Sequence, residues 1–138
     1  MADDGRLFSR TTQAIVYNWK PDPVQTMLDF DFLCKRSLPS IAALVQPGTS
    51  RGNTKAFFGT AEMILPVYGS TADASSNHPG ADVFINYASF RSAYASSMLA
   101  LEMDSIKTVV IIAEGVPISD VRRLIASAKA KGKVVIGP

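Results

Sequence analysis

The chain of 138 residues holds a single cysteine, Cys34, and a single histidine, His78. One cysteine excludes an intrachain disulfide framework and a cysteine metal cluster. The lone histidine sits in the turn-forming run Asn77-His78-Pro79-Gly80, at the amino end of a predicted strand, and no Ser/His/Asp or Cys/His arrangement can be assembled around it. Charge is sparse: charged residues make up 19% and the net charge is +2, too little to argue for nucleic acid. No apolar stretch approaches the roughly 20 residues that span a bilayer. The polar start Met1-Ala2-Asp3-Asp4-Gly5-Arg6 lacks the basic and apolar regions of a secretory signal. These absences point to a cytoplasmic protein without metal, membrane or nucleic-acid partner.

What is present is apolar material in short runs. Hydrophobic residues make up 47%, enough for one domain with a real core. Five runs each stop at small, polar or turn-forming residues: Ala14-Ile15-Val16-Tyr17, Ile41-Ala42-Ala43-Leu44-Val45, Val83-Phe84-Ile85, Val109-Val110-Ile111-Ile112 and Val134-Val135-Ile136. Continuous β-branched runs suit strands buried on both faces, as in a parallel sheet. The spacing predicts strands at 12–18, 40–46, 82–86, 108–113 and 133–137. Helices are predicted at 23–36, 70–77, 90–104 and 118–131, with Asp22 as the cap of the first and Pro23 in its first position. Val24, Met27, Leu28 and Phe32 follow at helical spacing. Phe90, Ala93, Tyr94, Ser97, Met98 and Leu101, and later Val121, Leu124, Ile125 and Ala128, are expected to face inward. Cys34 is expected as a buried or half-buried thiol, and Lys129 to Lys133 as the solvated end of a helix. Lys55 to Gly59 and Glu62 to Val67 read as two short strands around a turn. Strands alternating with helices give an α/β, Rossmann-like, doubly wound fold with a mainly parallel sheet and a small β-hairpin insertion. Residues 1–11 read as a loose leader and 12–138 as the domain.

In such a sheet, ligands bind beyond the carboxyl ends of the strands. The first such turn, Asn18-Trp19-Lys20-Pro21-Asp22-Pro23, has no glycine, and its two prolines carry no N–H. The dinucleotide fingerprint is absent. Arg91 and Arg122 are predicted in the first turns of two successive helices that start at the same sheet edge. A cation there opposes the helix dipole, so two of them are either arginines reaching into water or a clamp for a carboxylate- or phosphate-rich anion. Gln46-Pro47-Gly48-Thr49-Ser50-Arg51-Gly52 reads as a surface loop, or as a cover for the same anion. Glu114 either orients a ligand or caps its own loop. Spacing alone describes a binding domain, not a complete active site.

The runs Asp82 to Tyr94 (Asp-Val-Phe-Ile-Asn-Tyr-Ala-Ser-Phe-Arg-Ser-Ala-Tyr) and Ile111-Ile112-Ala113-Glu114-Gly115-Val116-Pro117 resemble the ATP-citrate lyase family. Leu7-Phe8-Ser9-Arg10, Met27-Leu28-Asp29-Phe30-Asp31 and Val134-Val135-Ile136-Gly137-Pro138 resemble it in the same order. The resemblance is to the CoA-binding domain shared with the α subunit of succinyl-CoA synthetase. It implies a part of an enzyme that makes acetyl-CoA and oxaloacetate from citrate, CoA and ATP. It implies citrate near Gly48, Thr49, Ser50, Asn86, Ala88, Ser89, Phe90, Arg91 and Arg122. It implies CoA near Lys20, Arg51, Ala113, Glu114 and Gly115, with the glycine-free first turn a departure from the synthetase. The family's phosphorylated histidine has no match here, and neither has its ATP-grasp module. The resemblance therefore implies a piece of a longer chain that is inactive alone, with no catalytic residue of its own. ATP and Mg2+ would be bound elsewhere in an oligomeric enzyme. A stand-alone CoA- or nucleotide-binding regulatory domain and a nicotinamide-dependent oxidoreductase module remain as alternatives.

Overall fold

A computed structural model describes residues 7–137. Residues 1–6 of the expected leader, and Pro138, lie outside the described residues. The elements run β1 (Ala14–Tyr17), α1 (Pro21–Leu33), β2 (Ile41–Val45), β3 (Gly52–Phe58), β4 (Ala61–Tyr68), α2 (Thr71–Asn77), β5 (Val83–Asn86), α3 (Ala93–Leu101), β6 (Thr108–Ile111), α4 (Ile118–Ala130) and β7 (Val134–Ile136). One sheet of seven strands has the order β3-β4-β2-β1-β5-β6-β7. All neighbours are parallel except β3 and β4. The expected fold class is thus observed.

The hairpin, however, is no side insertion. β4 pairs in parallel with β2 through Leu44↔Val67 and Val45↔Tyr68, so it is a sixth parallel strand, and β3 adds the antiparallel edge. Pro66, which donates nothing to a ladder, interrupts its apolar run, so the sequence shows the strand Glu62 to Val67 but not its place in the main sheet.

The β-branched runs are buried on both faces, as their continuity requires. Ile15, Val45, Phe84 and Val109 pack with α2, α3 and α4 on one side. Val16, Leu44, Leu65 and Ala56 pack with Val24 and Leu28 of α1 on the other. Coverage is uneven. Val16, Ile85, Val110 and Ile136 are in register on the α1 face, but α1 lies mainly over β2 and β3, away from β6 and β7, and Ile136 is exposed.

Several expected positions move. α1 starts at Pro21 with Lys20 at its cap and no side-chain cap bond, so Asp22 is not the cap. Phe32 is exposed and packs edge-on against Phe58 at 5.6 Å. Cys34 ends the helix exposed, because its face points away from the sheet. α3 is shorter than expected and excludes the exposed Phe90; Ile125 of α4 is also exposed. The leader is anchored from Ser9 on: the Arg10 guanidinium donates to the carbonyls of Cys34 (2.8 Å) and Lys35 (3.2 Å), closing the end of α1. Lys133 is not a solvated lysine. Its ammonium donates to the carbonyls of Leu101 (2.8 Å) and Met103 (2.7 Å), and burial pulls its pKa down.

Candidate functional site

Six strands point their carboxyl ends to one edge, and the chain reverses direction around the central strand. It leaves β1 for β2 on one side and later returns to β5 on the other. That switch point is where a doubly wound sheet opens a crevice. Here Asn18 occupies it. Its backbone is left-handed (φ 54°), its N–H donates to the Val45 carbonyl at 2.8 Å, and its side-chain amide donates to the Tyr87 carbonyl at 3.4 Å. The three inner loops are therefore tied at their roots.

The residues expected at the site lie at this edge, Asn86 as the last residue of β5, Arg122 as the fifth of α4 and the others in the connections, but their side chains are not equally free. Asn86 is fully buried. Its Oδ1 accepts the Ala88 N–H at 2.9 Å, and its Nδ2 donates to Ser96 Oγ (2.8 Å) and Ser97 Oγ (2.9 Å). Its side-chain amide is taken up by α3 and by the loop itself, so it sets the shape of the 87–92 loop from below. Ala88 is also buried. Ser89 uses its carbonyl to receive the N–H groups of Ser92 and Ala93, which starts α3, and leaves its hydroxyl exposed.

Neither arginine stands in the first turn of its helix. Arg91 lies in the turn ahead of α3, with its guanidinium 5.5 Å from the Phe90 ring, and Arg122 is the fifth residue of α4. Both are exposed, and among the described residues neither forms an ion pair. Since β5 and β6 are adjacent, the loops that precede α3 and α4 are neighbours.

The loop after β2 is pressed onto the β4–α2 turn. Gly48 N–H donates to the Gly69 carbonyl at 3.3 Å, and a Cβ at Gly69 would collide with the Thr49 carbonyl. Gly48, Thr49, Ser50 and Arg51 stay exposed along this loop. After β6, Ala113 is half-buried while Glu114 and Gly115 are exposed; Gly115 takes φ +83°, a value that glycine adopts without strain. Beside it, Ile111, Val116, Leu124, Ile125 and Gly137 help to line an apolar cavity of about 330 Å³. Lys20 is exposed at the start of α1, next to Trp19, whose indole N–H is buried with no partner among the described residues. Among those residues no group of three or more His, Cys, Asp and Glu is placed to hold a metal, and no helix is long and apolar enough to cross a membrane.

Sequence reasoning missed three features. Tyr68, Gly69 and Ser70 form a further strand end, hidden with β4. Asp31 is buried and accepts Ser40 N–H (2.7 Å) and Ser40 Oγ (2.6 Å), which joins α1 to β2. His78 was expected away from the crevice. Its backbone follows α2, but its Nε2 lies 2.9 Å from the hydroxyl of Tyr68, the last residue of β4. The Asn-His-Pro-Gly turn gave no signal of that contact, which depends on where α2 lies over the sheet.

No protein-family model matches the chain. It is 61% identical over 134 residues to ATP-citrate synthase β chain protein 2 of Arabidopsis thaliana, which covers 97% of this chain and 22% of that protein. It is 48% identical over 132 residues to ATP-citrate synthase of Homo sapiens, 96% of this chain and 12% of that one. Among solved structures it is similar to ATP citrate lyase from Methanothrix soehngenii in complex with citrate and coenzyme A. The TM-score is 0.95 and the identity 47%, over 99% of this chain and 22% of that chain. An oxidoreductase from Bacillus cereus, at 14% identity and TM-score 0.57, shares the fold alone. The chain thus spans about a fifth of the plant relative's length and is homologous to that segment.

Proposed function

We propose that this chain, homologous over nearly its whole length to a fifth of ATP-citrate synthase, is the part of such an enzyme that binds CoA and citrate. The observation that carries the reading is the 61% identity over 134 residues. The solved relative with TM-score 0.95, a complex with citrate and coenzyme A, supports both ligands. The reaction would consume citrate, CoA and ATP and release acetyl-CoA and oxaloacetate. ATP and Mg2+ would act on other modules. The working enzyme would be an oligomer in the cytoplasm, with an ATP-grasp module or subunit as partner.

The carboxyl edge is chemically suited to this. Citrate is a trianion, and Arg91, Arg122 and the exposed hydroxyls of Ser50 and Ser89 offer donors, while the Thr49 hydroxyl already donates to the Gln46 carbonyl at 2.8 Å. CoA needs a cation for its phosphates and an apolar slot for its thiol arm. Lys20 and Arg51 serve the first need, and the cavity beside Ala113, Glu114 and Gly115 serves the second. On this reading the chain binds and orients ligands while other parts of the enzyme carry the chemistry.

Thermal unfolding of the purified chain with citrate, CoA or NAD tests the reading, since a ligand that binds only the folded state raises the melting temperature. CoA and citrate are expected to raise it and NAD to leave it unchanged. A response to NAD alone would assign the chain to the nicotinamide class. A response to CoA alone would favour a regulatory CoA-binding domain.

A further inference from the structure

The chain's only histidine is tied to the ligand edge by one buried phenol. We propose that Arg51, Tyr68 and His78 form a binding subsite for a phosphomonoester dianion. Tyr68 is 3% exposed and carries a cationic or basic group on each side. The Arg51 guanidinium carbon stands 4.9 Å from the ring centroid, and the His78 ring meets it edge-on with centroids 5.6 Å apart. The hydroxyl oxygen lies 3.5 Å from an Arg51 nitrogen and 2.9 Å from His78 Nε2.

A guanidinium has no acceptor, so Arg51 donates to the Tyr68 oxygen. With a neutral imidazole protonated on Nδ1, the Tyr68 hydroxyl donates to His78 Nε2. Burial, and next the charge of Arg51, hold its pKa below the ordinary value of 6.5. The β2–β3 loop brings Arg51 and β4 brings Tyr68 to its ring. β1 and β2 bring no charge, and Asp73 of α2 lies in the first turn at the far end of that helix. The segment after α3 packs on α2 through Ser105 and brings the carboxylates of Glu102 and Asp104 beside Ser75 and Ser76. Arg51 is exposed and, among the described residues, makes no ion pair.

An open guanidinium linked to a histidine that protonation would make its equal is an arrangement completed by two negative charges. The dianion neutralises Arg51, and the imidazole then accepts its proton more readily. For CoA, whose ribose carries such a phosphomonoester, the inference rests on the function proposed above. For phosphate itself it stands on this geometry.

A single histidine makes the test direct. The His78 imidazole is titrated by NMR in chloride buffer, with and without inorganic phosphate, in the native chain and in Arg51→Gln. Phosphate is expected to raise the His78 midpoint in the native chain. In Arg51→Gln the midpoint is expected to start higher and not to respond. Calorimetry with CoA and dephospho-CoA is expected to show about a tenfold preference for CoA, the effect of one charged hydrogen-bonded contact. A His78 midpoint that ignores phosphate overturns the proposal whatever the CoA measurements give, and so does an equal response in Arg51→Gln. A phosphate response with equal affinity for the two CoA forms keeps the subsite and assigns it to another phosphomonoester. A phosphate response when neither CoA form binds keeps the subsite and refutes the CoA reading.

Discussion

Replacing Asn86 by alanine separates a framing residue from a ligand contact. The side chain is fully buried and makes three short hydrogen bonds, one accepted from Ala88 N–H and two donated to Ser96 and Ser97. Ser96 Oγ keeps a second partner, the Ser92 carbonyl at 2.7 Å, so it loses little. Ala88 N–H and Ser97 Oγ have no substitute, and both residues are buried. A buried donor left unmet costs about 1–3 kcal/mol and a lost ordinary hydrogen bond about 1. The sum is about 2–4 kcal/mol, a large part of the roughly 5–15 kcal/mol by which domains are stable. Urea unfolding reads it directly as a lower midpoint at constant slope. Asn86→Asp should be at least as harmful, since it keeps the acceptor for Ala88 but buries a charge whose seryl neighbours are already oriented. A loss below about 0.5 kcal/mol in Asn86→Ala, the range of an ordinary surface change, would refute the account.

Three further outcomes follow from the same geometry. Gly69→Ala should free the 46–51 loop and lower stability by about 1–3 kcal/mol, because its Cβ meets the Thr49 carbonyl, a backbone atom that cannot swing away; an unchanged urea midpoint would contradict this. Arg91→Ala and Arg122→Ala should each weaken citrate binding by about 1–3 kcal/mol in calorimetry, and unchanged affinity in both would remove the clamp. His78 has a lowered pKa in the folded chain, through burial first and Arg51 second. Its neutral form is the one the fold prefers, so its contribution is intact above 6.5 and falls as pH drops below that value, where the unfolded chain takes up the proton. His78→Gln should therefore lose less stability than the native chain between about pH 7 and 5; a difference between the two that ignores pH would contradict the sign.

The sheet was legible because its strands are buried on both faces, which writes uninterrupted runs such as Val109-Val110-Ile111 into the sequence. β4 was half legible: its apolar residues were seen, but Pro66 and the pairing with β3 made it look like a detached hairpin. Side-chain direction at the loops was not legible. Asn86 and Ser89 are both small polar residues at the end of one strand and just beyond it, yet one is buried beneath α3 and the other faces water. Ile125 sits four residues after Val121, at the spacing of an inward face, and is 53% exposed beside the cavity at the sheet edge. Arg51, Tyr68 and His78 meet only through the lie of α2, which no local spacing encodes.

The central place of β1 has a consequence for the order of assembly. On one side it is joined across 28 residues, Asn18 to Gln46, and on the other across 69, Asn18 to Tyr87. Closing the longer loop costs about 0.8 kcal/mol more in chain entropy, and it needs α2 and the hairpin to be in place first. The β1–α1–β2 half can therefore form early, and the docking of β5 joins it to the β5-β6-β7 half. The crevice at Asn18 comes into being only with that step. The same seam would be the first to part in partial opening, so amide protons on the β1–β5 ladder should exchange sooner than those between β1 and β2.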